Sequence, residues 1–391
     1  MSVDLTVLPD AATGLYDTQR LARVLNVKPA TIRTMRKRQQ LPEPTSSNIN
    51  GGAVWTREAI VNYFAPAKKK ITFPSNPLLP TVIDLFAGCG GLSLGFQKAG
   101  FALKAGFDSW QHAVDVYNEN LDHPAHILDL SDVDNSVSTL LPFMDGVSGI
   151  IGGPPCQDFS SAGKRTESDR ADLTEKFATI VTKLNPKFFV MENVARAKHS
   201  AAFGRAVQIF RENGYGVTEI VLDASKCGAP QARKRLFTIG LLGAEDNAFE
   251  ASLLSGLAEK PMTMRDHFGS SLDLDYYYRH PRSYARRGIY SMDEPSATIR
   301  GVNRPVPPGY SQHPGDRGDL GPELRPLTTQ ERALVQTFPP EFTFSAAKTH
   351  TEQMIGNAVP VNLASYVAKQ ISKILLKELV TAGTVSDEES R

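Results

Sequence analysis

The chain has 391 residues, 41% hydrophobic and 22% charged side chains and a net charge of +1, a composition typical of globular domains and long enough for two or three of them. No apolar run approaches the roughly 18 residues of a membrane span, and the N-terminus lacks the basic-then-apolar pattern of a secretory signal, so the sequence implies a cytoplasmic protein with no membrane partner. The three cysteines, Cys89, Cys156 and Cys227, form no C-x-x-C pair and have no histidines at ligand spacing, which argues against disulfides and predicts no metal site.

Residues 1–66 form the first expected unit. Leu21, Val24, Leu25 and Val27 space like one apolar helix face over Leu21–Val27, and Pro29 opens a second helix, Ala30–Gln40, that carries Arg33, Arg36 and Lys37. The pair resembles the helix-turn-helix of MerR-like and excisionase-like DNA-binding domains, the bland alternative being a small helical docking module. Residues 67–80 read as a linker, with three prolines and little apolar periodicity. Over 81–260, short β-rich runs at Thr81–Leu85, Ala102–Phe107, Gly149–Ile151, Phe188–Met191 and Leu236–Gly240 alternate with helical patterns, which predicts a parallel sheet covered by helices on both faces. Residues 261–326 break that rhythm as a small irregular lobe. Helical periodicity returns over 327–378, and 379–391 read as a flexible tail.

Two loops carry the chemistry. Asp84-Leu85-Phe86-Ala87-Gly88-Cys89-Gly90-Gly91-Leu92 sets glycines where a strand turns into a helix, the place where backbone approaches a bound nucleotide. Asp108, with Ser109, follows the next strand about twenty residues later, where a carboxylate accepts from ribose hydroxyls; Asp129-Leu130 follows the third and suits an adenine amine. Gly152-Gly153-Pro154-Pro155-Cys156-Gln157 holds a thiol in a loop whose backbone two prolines fix, a setting for a nucleophile rather than for buried filler. Glu192-Asn193-Val194 places a carboxyl at another strand end, and Arg233 and Arg235, one residue apart, put two guanidinium groups on one face.

With these blocks in order, joined by Arg325–Pro339 and Gln353–Asn362 with Gly356-Asn357, residues 81–375 resemble the DNA (cytosine-5) methyltransferase family. The resemblance implies a Rossmann-like methyltransferase fold, S-adenosyl-L-methionine as cofactor, double-stranded DNA as substrate and a cognate restriction endonuclease as partner. It implies that Phe86 stacks on adenine, that Asp108 and Asp129 hold ribose and amine, and that Pro155, Asn357 and Ala358 complete the pocket. Cys156 would attack C6 of a flipped cytosine while Glu192 holds N3 and the amine and Arg235, with Arg233, fixes O2. Ser160, Lys164 and Arg165 fall in the loop that closes over the base.

The lobe occupies the position of the family's target-recognition region and is rich in Tyr and Arg, with Arg279, Arg282, Arg286, Arg287, Arg300 and Arg304 the candidate DNA contacts. Two further readings stand beside this one: a transfer-RNA methyltransferase built on the same motifs, and a DNA-binding regulator with an inert methyltransferase fold.

Overall fold

A computed structural model describes residues 14–49, 52–64, 70–155, 172–283 and 285–388, and the chain divides into two units between residues 69 and 70. The first unit runs β1 (Leu15–Asp17), α1 (Thr18–Val24), α2 (Pro29–Lys37), β2 (Ser46–Ile49), β3 (Gly52–Thr56) and α3 (Arg57–Phe64), with its strands antiparallel in the order β1-β3-β2. Trp55 is wholly buried among Tyr16, Leu21, Ile32 and Leu41, and its indole Nε1 donates to the Pro42 carbonyl at 2.8 Å. Asp17 accepts from the Arg20 amide and caps α1. That helix therefore starts three residues before the apolar spacing predicts and ends at Val24, ahead of Asn26 at φ 51. On α2 only Ile32 is buried, and Arg33, Arg36 and Lys37 face solvent.

The second unit begins with residues that the sequence reads as a linker. Ile71 and Leu79 are buried, and the Ile71 amide donates to Asn120 O at 2.7 Å. Isolated apolar residues without periodicity still find a core when the prolines between them set an extended path, so residues 70–80 belong to this unit. Then follow β4 (Thr81–Leu85), α4 (Gly91–Lys98), β5 (Ala102–Asp108), α5 (Gln111–Asn120), β6 (Ala125–Ile127), α6 (Val133–Leu140), β7 (Val147–Gly152), α7 (Asp172–Leu184), β8 (Phe188–Val194), α8 (Ala201–Glu212), β9 (Tyr215–Asp223), β10 (Gln231–Ala232), β11 (Lys234–Leu242) and α9 (Glu250–Ser255). The sheet order is β6-β5-β4-β7-β8-β11-β9.

Strand β11 corrects the all-parallel expectation: it runs antiparallel to both β8 and β9, while the remaining pairs are parallel. The cause is the length of its connection. Only residues 224–233 separate β9 from β11, too few for the helical crossover that a parallel neighbour needs.

Alternation along the strands feeds two cores. Phe188 and Val190 point to the face covered by α4, α9 and the last helix, α13 (Val361–Glu388), whereas Phe189 and Met191 point to the face covered by α6, α7 and α8. Helix α13 continues past residue 378, where a tail is expected; Gly383 alone costs about 1 kcal/mol against Ala, too little to stop a helix already propagating.

Between α9 and α13 lie α10 (Met264–Phe268), the antiparallel pair β12 (Tyr276–Tyr278) and β13 (Ile289–Ser291), β14 (Ser296–Ala297) parallel to β10, α11 (Thr329–Val335) and α12 (Lys348–Asn357). A capping box between Thr328 and Glu331 starts α11. The aromatic lobe spends its tyrosines inward: Tyr277 and Tyr278 are buried, and only Tyr276 of the triplet is exposed. Among the described residues no helix is long and apolar enough to cross a membrane, and no cluster of His, Cys, Asp or Glu is set to hold a metal ion.

Gly240 of β11 lies opposite Phe189, whose ring stacks on Phe210 with centroids 3.8 Å apart, and a Cβ at Gly240 would collide with the Phe189 ring. Gly240→Ala is expected to destabilise the chain by about 1–3 kcal/mol through overpacking, read as a lowered midpoint in chemical denaturation; an unchanged midpoint would contradict this packing.

Candidate active site

The carboxyl ends of β4, β5, β6, β7 and β8 share one rim of the sheet, and the reversal of β11 brings its amino end to the same rim. The glycine-rich turn after β4 is shaped by backbone. Phe86, half-buried, takes φ 58, Gly88 φ 54 and Gly90 φ 92, and Gly90 is the N-cap of α4. Gly88 has open space where a side chain would stand, and its amide donates to Asp108 Oδ2 at 2.8 Å. The other oxygen of Asp108 accepts from the Trp110 amide at 2.8 Å, so one carboxylate ties the turn to the end of β5. Burial pushes the Asp108 carboxyl up, against the hydrogen bonds from Trp110, Gly88 and Ser109. Ser109, Asp129 and Asn357 are exposed and Pro155 and Ala358 half-buried, whereas Leu130 is buried. Hydrogen bonds from Ser131 keep the Asp129 carboxyl low and charged.

Five of the expected cofactor residues are buried, Leu130 among them. Asp84 is wholly buried and accepts from Ser93 Oγ at 2.6 Å; Ser93 in turn accepts from Tyr117 Oη at 2.9 Å. Gly90, Gly91 and Leu92 are also buried. Gly91 is glycine for packing: an added Cβ would stand 2.6 Å from the Val359 carbonyl. The open surface of the turn is Gly88 and Phe86, set beside Asp108 and Asp129, and it suits an adenosine-bearing ligand whose ribose meets a carboxylate and whose ring meets an aromatic face.

The second half of the rim is ionic. Arg235 Nε lies 2.8 Å from Glu192 Oε1, with side-chain exposures of 14% and 11%. The pairing register places Arg235 opposite Val194 and Phe237 opposite Glu192. Burial raises the Glu192 carboxyl, opposed first by Arg235 and then by Arg233, while burial lowers the Arg235 guanidinium against the pull of Glu192. The other Glu192 oxygen faces Gly153, where a Cβ would stand 3.4 Å away. Asn193, which sequence reasoning treated only as part of a motif, donates from Nδ2 to Pro154 O at 3.2 Å and anchors the Pro-Pro turn.

Cys156, Ser160, Lys164 and Arg165 fall just beyond that turn, outside the described residues. The other two cysteines are chemically quiet. Cys89 and Cys227 are buried, and burial pushes each thiol up to about 12.

Arg233 departs from its expected place. It is 1% exposed and donates to main-chain carbonyls rather than facing the rim. In the lobe, Arg287 pairs with both oxygens of Glu294 at 2.8 and 2.7 Å and covers the Tyr290 ring. Arg279 donates to Thr298 O at 2.9 Å, and Arg300 donates to His280 O. These three arginines brace the lobe, whereas Arg282, Arg286 and Arg304 are exposed. Composition marks arginines but not the carboxylates and carbonyls that engage them.

A family model described as C-5 cytosine-specific DNA methylase matches residues 80–373. The chain is 53% identical over 291 residues to the Type II methyltransferase M.HindV of Haemophilus influenzae, covering 74% of this chain and 95% of that one. It is 52% identical over 294 residues to M.HgiDI of Herpetosiphon aurantiacus, covering 75% and 94%. A solved structure of a putative DNA modification methyltransferase encoded within an E. coli prophage superposes with TM-score 0.55 at 25% identity, covering 76% of this chain and 99% of that one. S. pombe Dnmt2 shares the fold, with TM-score 0.55 at 18% identity over 77% of this chain and 99% of the other.

Burial lifts the Asp84 carboxyl from 3.8 to about 7, against the Ser93 hydrogen bond. A carboxyl whose folded pKa lies above its unfolded value holds an extra proton between the two, so stability falls as pH rises through that window. Asp84→Asn keeps an acceptor for Ser93 without the charge. Thermal melts from about pH 5 to about pH 8 are expected to show the wild type losing stability relative to this variant, and parallel curves would mean that Asp84 does not titrate there.

Proposed function

The chain belongs to the C-5 cytosine-specific DNA methylase family and is a DNA (cytosine-5) methyltransferase, and we propose that it methylates cytosine within a specific short double-stranded DNA sequence as the modification enzyme of a restriction-modification system. The observation that carries the reading is the buried Glu192–Arg235 pair facing the Pro-Pro turn that leads into Cys156. Members of the family take their methyl group from S-adenosylmethionine, which supplies an electrophilic methyl when bound. Phe86, Gly88, Asp108, Asp129 and Asn357 would hold it at the glycine-rich turn. Cys156 adds as the thiolate to C6 of the cytosine and makes C5 nucleophilic. Glu192, its carboxyl raised by burial against the pull of Arg235, shares a proton with N3 as the adduct forms and accepts from the exocyclic amine. Arg235 holds Glu192 in place and offers its remaining N–H groups to O2. Once C5 has taken the methyl group, with the sulfonium sulfur as leaving group, loss of the C5 proton permits the thiolate to leave and restores the ring. Since C6 is shielded in a stacked duplex, the base is flipped out, at a cost of a few kcal/mol. Arg282, Arg286 and Arg304 meet the DNA.

In the first unit, α2 buries Ile32 and presents Arg33, Arg36 and Lys37 to solvent after a short turn from α1, which supports a helix-turn-helix reading with DNA as its partner and control of the chain's own gene as its use. Removal of residues 1–69 is then expected to leave methyl transfer largely intact and to abolish retention of the upstream DNA in a gel shift. A large loss of transfer would instead make the unit part of substrate binding.

Cys156→Ala is expected to abolish transfer of labelled methyl to unmethylated plasmid DNA, and Glu192→Gln to lower kcat by about 10²- to 10³-fold. Bisulfite mapping then locates the methylated site. A duplex with 5-fluorocytosine at that site should trap the wild type covalently and not Cys156→Ala; label appearing in transfer RNA alone would reverse the choice of substrate.

A further inference from the structure

Arg233 is among the largest fully buried side chains of the described residues, and the nearby carboxylate, Glu192, is paired with Arg235 instead. Main-chain oxygens surround it instead. Nη1 donates to Ile299 O at 3.0 Å, and Nη2 donates to Gly356 O at 3.0 Å and Ala358 O at 3.1 Å. Ile299 follows β14 in the lobe, whereas Gly356 and Ala358 flank Asn357 at the end of α12. A cation suits carbonyls at a helix C-terminus, which lack intrahelical partners.

Two glutamines close the arrangement into a ring. Gln231, two residues before Arg233 at the start of β10, accepts from the Ile299 amide at 2.9 Å and donates to Gln336 Oε1 at 2.7 Å. Gln336 in turn donates to Ile355 O and, at 3.1 Å, to Ala358 O. The Ile299 peptide unit and the 355–358 turn are thus held by the same buried groups. Packing tightens the link on both sides. A Cβ at Gly356 would collide with the Gly301 amide. Beyond the same turn, the Val359 carbonyl leaves no room for a side chain at Gly91 of the glycine-rich loop.

We propose that Arg233 and Gln336 are positioning residues that couple the recognition lobe to the methyl-donor pocket, so that a shift of the 299–301 peptide on binding DNA is passed through the 355–359 turn to Asn357 and the glycine-rich loop. Arg233 then touches no base; that contact belongs to Arg235. The inference rests on the DNA-methylation reading for its lobe half and on the donor pocket alone for the other. Arg300 marks the route on the lobe side, because its carbonyl accepts from the buried Arg332 and its guanidinium lies with those of Arg279 and Arg304 around one cavity.

Full-length wild type, Arg233→Lys and Gln336→Met are compared with Val207→Ala, a core truncation on the opposite side of the sheet that serves as a stability control. Calorimetry with S-adenosylhomocysteine, a probe that needs no nucleic acid, is expected to show about tenfold weaker binding in both node variants and none of this loss in Val207→Ala. Adding a duplex that carries the mapped site should tighten the probe about tenfold on wild type and less than twofold on the node variants. In transfer assays the node variants should raise KM for the donor more than they lower kcat. Unchanged probe affinity in both variants overturns the proposal, as does a kcat loss in Arg233→Lys with KM and coupling intact, which would return Arg233 to the base. If wild type transfers no methyl to DNA, the substrate reading fails and the lobe half with it, whereas transfer with unaltered coupling in the variants removes only the role given to Arg233 and Gln336.

Discussion

Strand β11 is the constraint on which the candidate site depends. In a wholly parallel sheet, residues just ahead of a strand lie on the rim opposite to the residues that follow its neighbours. Glu192, at the end of β8, and Arg235, at the start of β11, would then be separated by the length of the strands. Running β11 backwards between β8 and β9 brings the two ends together, and the ladder from Arg235–Val194 to Leu241–Phe188 fixes the register that lets the guanidinium meet the carboxyl. A one-residue slip would send Arg235 to the other face of the sheet. Gly240 belongs to the same requirement, since that register sets it against Phe189 and leaves no room for a side chain.

Desolvation then divides the chemistry among groups of the same type. Cys89 and Cys227 are buried with raised pKa values and remain thiols, so neither is suited to the nucleophile's part proposed for Cys156. Of the two arginines at the start of β11, Arg235 within it keeps an edge toward the rim while Arg233, between β10 and β11, is enclosed. A buried guanidinium is tolerated where its donors find acceptors; the carbonyls of Ile299, Gly356 and Ala358 take both Nη groups of Arg233, while its Nε is left without a hydrogen-bond partner. Burying that cation has a consequence: the lobe and the turn that carries Asn357 are held by one side chain.

The glycine-rich loop shows the same division. Gly88 leaves open space toward the rim, and its positive φ suits a residue without Cβ. Gly91 instead admits the 355–359 turn against α4. Behind the loop, Asp84, Ser93 and Tyr117 form a buried hydrogen-bonded chain, so the first residue of the motif supports the loop from beneath.

Much of this was legible in the chain itself. Apolar runs that alternate with helical periodicity specify strands and helices through local spacing, and the ordered blocks around Phe86, Cys156, Glu192, Arg235 and Asn357 specify a methyltransferase, because residue types in order survive without coordinates. What the sequence alone did not determine was direction and depth. The polarity of β11 follows from a connection too short for a crossover, weighed against every other way of pairing the strands. The roles of Arg233, Arg279, Arg287 and Arg300 follow from carbonyls and carboxylates distant in sequence. The inward tyrosines and the packing duty of Gly91 depend on contacts that exist only once the chain has folded. Local spacing fixes which residues share a face; only tertiary packing decides which of those faces is left for a substrate.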